Sequence, residues 1–294
     1  MVNVYEQINK NKVRSSLIIG LFVAFIIGAT YLIVQAFDLG IDFLIFAFIF
    51  SLASSFASYF WGHKIVLSLN GARKAGRKEF FNYYTVAENL SIATGIPMPQ
   101  LYVIDSPSPN AFATGRDPDH AVVAVTTGLL EKLNRTQLEA VVAHEISHIQ
   151  NYDIRLMMIV SILIGSLSIL INMASRGVFF GRGSDRDRNS SPIFAVIGLL
   201  LIIFAPLIAQ LIQLAISRRR EYFADASAVK LTRQPSGLIE ALEIISSSSQ
   251  PLQQASTATA SLYISNPFKG NKISSLFSTH PPIDQRISTL KQMM

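Results

Sequence analysis

Two long apolar runs near the N-terminus limit this chain to folds that place helices in a membrane. The runs Leu17–Phe37 and Phe43–Trp61 contain no charged residue, and each is long enough to cross the hydrocarbon layer as a helix. The first run is too long for the core of a signal peptide and has no convincing cleavage site, so we expect a retained anchor. Together the runs predict an N-terminal transmembrane hairpin over residues 1–63.

The charged residues beside these runs predict the orientation of the hairpin. Its connection contains Asp38 and Asp42 but no Lys or Arg, whereas basic residues precede the first run and follow the second. Because basic flanks stay in the cytoplasm, the N-terminus and the chain after Trp61 should both be cytoplasmic. The net charge of +6 comes largely from such flanking residues, so we expect a lipid bilayer and no nucleic acid as partner.

A second apolar hairpin is predicted over residues 156–216, with spans at Leu156–Ala174 and Ile193–Ile216. Its connecting loop has more Arg than Asp, which is against the positive-inside rule for an outer loop. The alternative is therefore a pair of buried or only partly inserted helices. A chain that is 50% hydrophobic and only 15% charged is in either case unlike an ordinary soluble protein.

Residues 64–155 and 217–294 form the two polar parts of the chain and predict a small α+β domain. Residues 246–272 are rich in Ser, Thr, Gln and Ala, and we expect a mobile segment near the site. Gly95 is a plausible helix stop. Helices are predicted over 79–94, 127–133, 217–231 and 236–245, and strands over 101–104 and 121–126. Residues 278–292 are predicted to be a loop that leads into a final helix.

The stretch Val141–Ile149 carries the motif HExxH. His144 and His148 are spaced i, i+4, which places both imidazoles on one face of a helix where they can share a zinc ion. Glu145 between them is placed to act as general base for the attacking water. The alternative is a buried helix with two hydrogen-bonded histidines. Thr136 with Glu139 resembles a capping box, which predicts that the helix starts there.

A catalytic zinc site needs a third protein ligand, and the chain has no cysteine to supply it. The candidates are His63, His120, His280 and any carboxylate. Glu221 is the most favourable, because it lies four residues before Asp225 on a predicted helix, so that both side chains share a face. Glu221 could bind the metal while Asp225 holds a ligand imidazole. The alternative is that Glu221 is a solvated surface charge paired with the preceding arginines.

HEISH, REYFADASA, NAFATG upstream and STHPP downstream together resemble the HtpX-type membrane zinc endopeptidases, relatives of the CAAX prenyl proteases. The resemblance covers nearly the whole chain, including the apolar hairpin between the HExxH helix and the Glu helix. It implies an α-helical integral membrane protein with a small α+β, zincin-like (gluzincin) catalytic domain built from 64–155 and 217–294.

The resemblance also implies roles for individual residues. His144, His148 and Glu221 would hold one zinc ion per chain, with Glu145 as the catalytic base. Asp225 would not bind the metal itself but would hold one of the metal-binding side chains in place. Asn110 and Ala111 would hold the substrate backbone, and His280 would lie near the active site; we expect His280 to donate to the oxyanion.

The resemblance further implies a multi-pass metalloendopeptidase of the cell membrane that hydrolyses misfolded membrane proteins on the cytoplasmic side and can cleave itself. The 121–126 strand is expected to be an exposed edge to which an extended substrate adds. An intramembrane protease is disfavoured because polar residues surround HExxH. A non-proteolytic metal-binding scaffold or regulator would not need Glu145, and a transporter would need polar groups within its uncharged spans.

Overall fold

The structure is a computed structural model that describes residues 4–37, 41–165, 218–248, 250, 252, 255, 259–267 and 281–294. Most of the second predicted hairpin, and His280, therefore lie outside the described residues. The helices are α1 (Val4–Phe37), α2 (Asp42–Leu69), α3 (Phe81–Thr94), α4 (Thr127–Lys132), α5 (Arg135–Gln150), α6 (153–165, where that described range ends), α7 (Arg218–Thr232), α8 (Pro235–Ser247) and α9 (Ile283–Lys291). The strands are β1 (Ala72–Lys74), β2 (Gln100–Ile104), β3 (Ala111–Gly115) and β4 (Ala121–Thr126).

Helices α1 and α2 pack against each other and contain the two predicted apolar runs. The segments Ile8–Gly28 and Leu44–Leu69 are long and apolar enough to cross a membrane. Helix α2 continues eight residues beyond the predicted end of its span at Trp61, because Val66 and Leu67 bury their side chains against the rest of the protein.

The sheet has the strand order β1-β2-β4-β3. Strand β4 runs parallel to β2 and antiparallel to β3, so it lies inside the sheet with a neighbour on each side. The expectation that residues 121–126 form an exposed edge is therefore wrong, and the edges are β1 and β3. All six residues of β4 are buried, as expected for a strand covered on both faces.

The sheet separates two hydrophobic cores. Side chains such as Val123 and Val125 of β4 point to a core with α3, α5 and α8. The alternate positions, Val122 and Ala124, point to a core with α1, α2 and α6. The catalytic motif and the apolar helices thus lie on opposite faces of the same sheet.

The helix that carries HExxH begins two residues earlier than the sequence predicted. Asn134 is its N-cap: its side chain accepts from the backbone N–H of Gln137 at 3.0 Å, and the Gln137 side chain accepts from the Asn134 N–H at 2.9 Å. This capping box satisfies two exposed donors of the first turn. Thr136 and Glu139, the predicted pair, instead lie inside α5. The stop of α3 at Gly95 is confirmed, with φ of +71°.

Candidate metal centre

Helix α5 places His144, Glu145 and His148 in the protein interior. The three side chains are buried, with at most 4% of each residue exposed. The Nε2 atoms of the two histidines are 3.2 Å apart, which is the one-face arrangement that the i, i+4 spacing predicts.

Helix α7 brings Glu221 to the same point. Its Oε2 atom is 3.6 Å from His144 Nε2, and its Oε1 atom is 3.6 Å from His148 Nε2. Glu221 is only 5% exposed, so it is not a solvated surface charge. His144, His148 and Glu221 each offer one donor atom, and the three atoms lie within 4.8 Å of one another. Such a group could hold a metal ion, and it is the one found among the described residues.

Of the other histidine candidates for the third ligand, the two that the structure describes, His63 and His120, do not join this group. His120 instead lies with its Nδ1 atom 2.6 Å from the Asp117 carboxylate, and Arg116 contacts its other ring nitrogen. His63 is on α2, outside the converging set.

The donor spacing fits a tetrahedral zinc ion. Zinc bonds His nitrogen and carboxylate oxygen at about 2.0–2.2 Å, which at tetrahedral angles separates the donors by about 3.3–3.5 Å. The observed separations are 3.2, 3.6 and 3.6 Å. Two imidazoles and one carboxylate are the protein ligand set of a catalytic rather than a structural zinc site.

Asp225 contacts the ring nitrogen of His144 that faces away from the other two ligands. The sequence predicted such a contact for one of the imidazoles. Its Nδ1 atom is 2.9 Å from Asp225 Oδ1. Burial lowers the pKa of His144, but its hydrogen bonds to Asp225 and Glu221 raise it to about 9. The Asp225 contact with Nδ1 fixes Nε2 as the ring nitrogen that faces the metal and increases the basicity of the ligand.

Arg286 on α9 in turn holds Asp225. Its Nη2 and Nε atoms donate to the two carboxylate oxygens at 2.6 and 2.9 Å, and the residue is fully buried. Burial alone raises the pKa of Asp225, but the charge of Arg286 and the hydrogen bonds from His144 and Arg286 bring it down to about 2. Asp225 is therefore ionised wherever the chain is folded at neutral pH.

His148 has a support that sequence analysis missed. Its Nδ1 atom is 3.1 Å from Asp153 Oδ2. Asp153 starts α6 directly after a turn in which Tyr152 has φ of +58°, and this reversal returns the carboxylate to an imidazole five residues earlier. An acidic residue shortly after the end of the HExxH helix was the only available signal.

The segment 259–267 joins β3 to this network. The Ile264 N–H donates to the Ala111 carbonyl at 2.9 Å, and the Ile264 carbonyl accepts from Arg286 Nη1 at 3.2 Å. The Asn110 side chain donates to the Ser265 carbonyl at 2.9 Å and accepts from its N–H at 3.3 Å. This described part of the segment expected to be mobile is therefore bonded in place, and in this arrangement Asn110 binds the chain itself.

Residues 79–294 match the model of peptidase family M48. The chain belongs to peptidase family M48. Two relatives named Protease HtpX homolog support the membership: that of Dictyoglomus turgidum is 46% identical, over 98% of this chain and 94% of its own length, and that of Ligilactobacillus salivarius is 44% identical, over 98% and 99%. The crystal structure of S. mikatae Ste24p is 24% identical, with a TM-score of 0.49, over 96% of this chain and 66% of its own.

Membership in family M48 makes this chain a metalloprotease, and so a hydrolase. The resemblance to HtpX-type proteases that the motifs suggested is confirmed. The motif residues His144, Glu145, His148 and Glu221 all lie within the matched range and in the buried cluster described above.

Proposed function

We propose that this M48 protease is a membrane-bound zinc endopeptidase that hydrolyses unfolded or misfolded membrane proteins on the cytoplasmic side of the cell membrane. One observation carries the proposal: the donor atoms of His144 and His148 on α5 and of Glu221 on α7 converge at tetrahedral spacing, and α5 also carries a buried Glu145. That arrangement supports metal-assisted hydrolysis over a scaffold, which would not need the acid.

The chemistry divides between the metal and the residues around it. His144, His148 and Glu221 would hold a zinc ion, which would supply Lewis acidity to the scissile carbonyl and would lower the pKa of a bound water to about 7. Glu145 takes the proton of the attacking water and returns it to the leaving amine. Asp225 and Asp153 keep the imidazoles oriented throughout. His280 remains our candidate donor to the oxyanion.

The edge strand for substrate is β3 rather than β4. We propose that an extended substrate adds to β3 by main-chain hydrogen bonds, which accept many unfolded sequences because they carry no side-chain information. Asn110 and Ala111 lie at the start of this edge. Since the Ala111 carbonyl accepts from Ile264, substrate pairing there requires residues 259–267 to release this bond.

The surface of α1 and α2 supports placement in a bilayer. Both helices expose many large apolar side chains, and large exposed apolar patches mark membrane or protein contact surfaces. At 34 residues, α1 is about 51 Å long, more than the roughly 30 Å hydrocarbon layer, so its first turns extend beyond the membrane toward the catalytic domain. The exposed large apolar side chains on these helices include Leu17, Leu21, Ile45, Phe46, Phe48, Ile49, Leu52, Phe56, Phe60 and Trp61.

Metal removal and restoration test the proposal. The purified full chain in lipid vesicles should cleave an unfolded membrane protein at internal peptide bonds, lose this activity in chelator, and regain it with zinc but not magnesium. A folded form of the same substrate should be cleaved more slowly. Cleavage that continues unchanged after complete metal removal would exclude the zinc mechanism.

A further inference from the structure

The first helix of the chain contacts the support of a metal ligand directly. Asn11 on α1 is fully buried, and its side-chain amide donates to Asp153 Oδ1 at 2.7 Å and to the Asn151 carbonyl at 2.8 Å. The other oxygen of the Asp153 carboxylate is the one that holds His148. A single carboxylate therefore joins the N-terminal helix to the metal centre.

A second side chain of α1 contacts the same turn. The ammonium group of Lys12 lies 4.4 Å from the centre of the Tyr152 ring, a cation–π distance. Lys12 and Asn11 thus contact three consecutive residues of the turn between α5 and α6, 151–153. This is the turn that returns Asp153 to the HExxH helix.

The chemistry of the contact is specific for an amide donor. The Asn11 amide group donates its two N–H bonds to two acceptors, a carboxylate oxygen of Asp153 and the main-chain carbonyl of Asn151. A cation also lies near this oxygen: the Nη1 atom of Arg220 is 3.7 Å from Asp153 Oδ1. Without Asn11, the nearer donor is lost and the carboxylate is free to rotate toward Arg220 and away from the His148 ring.

We propose that Asn11 is a positioning residue of the metal centre, so that docking of α1 sets the affinity for zinc through Asp153 and His148. The inference rests on the proposed zinc site. It makes the metal centre depend on a helix on the opposite face of the sheet, and a chain whose α1 is displaced would hold its metal more weakly.

Metal affinity, measured without any protease assay, tests this inference. The full chain in detergent would be titrated against a zinc chelator of known affinity. Removing a partner outside the metal's own shell costs about 10- to 100-fold in affinity, so Asp153→Ala should weaken zinc binding by that amount. Asn11→Ala, one step further away, should weaken it several-fold. Asn11→Asp, equal in size but unable to donate at neutral pH, should weaken it at least as much.

Ser15→Ala is the matched control. Ser15 is buried on the same helix and one turn further on, and its hydroxyl donates to the Asn11 main-chain carbonyl at 2.8 Å. Loss of this bond perturbs α1 without removing a donor from Asp153. This variant should bind zinc as the parent does, and cobalt-loaded protein should keep the parent absorption spectrum, whereas cobalt-loaded Asn11→Ala should shift it because an imidazole has moved.

A double variant separates positioning from general destabilisation. In an Asp153→Ala background, Asn11→Ala should weaken zinc binding no further, because no carboxylate then connects Asn11 to His148. An additive loss, or zinc affinity and cobalt spectra in Asn11→Ala and Asn11→Asp equal to the parent, would overturn the inference while the zinc site stands. A parent chain that binds no zinc would overturn the proposed function and this inference together.

Discussion

The imidazole of His144 is fixed by a chain of charges: Asp225 accepts from its ring, and Arg286 holds Asp225. This chain gives Glu221 and Asp225 different roles although both are buried acids on α7. Glu221 faces the point where the ligands converge, whereas Asp225 contacts the opposite ring nitrogen. Replacing Glu221 and replacing Asp225 should therefore weaken zinc binding for different reasons.

Glu221→Ala should remove one of three protein ligands and sharply weaken zinc binding. Asp225→Ala keeps all three but should cost about 10- to 100-fold in affinity or activity. It also leaves the buried Arg286 charge 3.5 Å from His144 Nδ1 without its carboxylate, which disfavours a cation nearby. Zinc content and chelator competition measure both effects.

The exposed Glu131 on α4 provides the control, and Glu131→Ala should be silent. Stoichiometric zinc and normal cleavage in Glu221→Ala would eliminate this ligand set.

The residues of the metal centre were predictable from the sequence to different degrees. His144, Glu145 and His148 follow from helical spacing alone, and Asp225 follows from its spacing to Glu221. Arg286 has no local signal for its role, because its contact with Asp225 depends on how α9 packs onto α7. Spacing within one helix therefore identifies the side chains that share a face, whereas the contact between Arg286 and Asp225 depends on packing between elements, which spacing does not describe.

The order of strands shows the same limit at the scale of elements. Residues 121–126 were predicted as a strand with the bounds observed, yet their place inside the sheet was not. Strand β3 precedes β4 by only five residues, but its run AFATG was not recognised as a strand because it has few β-branched or large apolar residues. Because β3 forms the edge of the sheet, β4 has a neighbouring strand on each side.

Asn110→Ala should loosen residues 259–267 from β3, because the Asn110 amide makes two of the bonds that hold Ser265. Hydrogen exchange should then be faster at the Ile264 amide, while zinc content stays unchanged. Ser108→Ala is the control, since the Ser108 hydroxyl donates to the Gln250 carbonyl instead. Unchanged protection of Ile264 would show that Asn110 does not hold this segment and would favour a direct substrate contact.

At the scale of the whole molecule, one metal centre is assembled from two parts of the chain. His148 lies before residues 156–216 and Glu221 lies after them, and the two side chains meet. In the proposed membrane placement, both parts would lie on one side of the bilayer, which requires an even number of crossings between them. The hairpin predicted over 156–216 would supply two crossings.

Reporter fusions test the orientation of the molecule. A reporter fused after Lys78 and another at the C-terminus should both give a cytoplasmic signal, because the basic flanks and the acidic 38–42 connection favour that orientation. A reporter inserted near position 184 should report the outside if the second hairpin spans. An outside signal from either of the first two fusions would overturn the proposed orientation.

The most direct test of the central claim is to compare Glu145→Gln with the parent chain for zinc content and peptide hydrolysis in the same preparation. Gln keeps the size of Glu145 but cannot take a proton, and no ligand is removed. The variant should hold zinc as the parent does and lose about 100- to 10,000-fold in hydrolysis, the usual contribution of a general base. Near-normal turnover by zinc-loaded Glu145→Gln would contradict the mechanism.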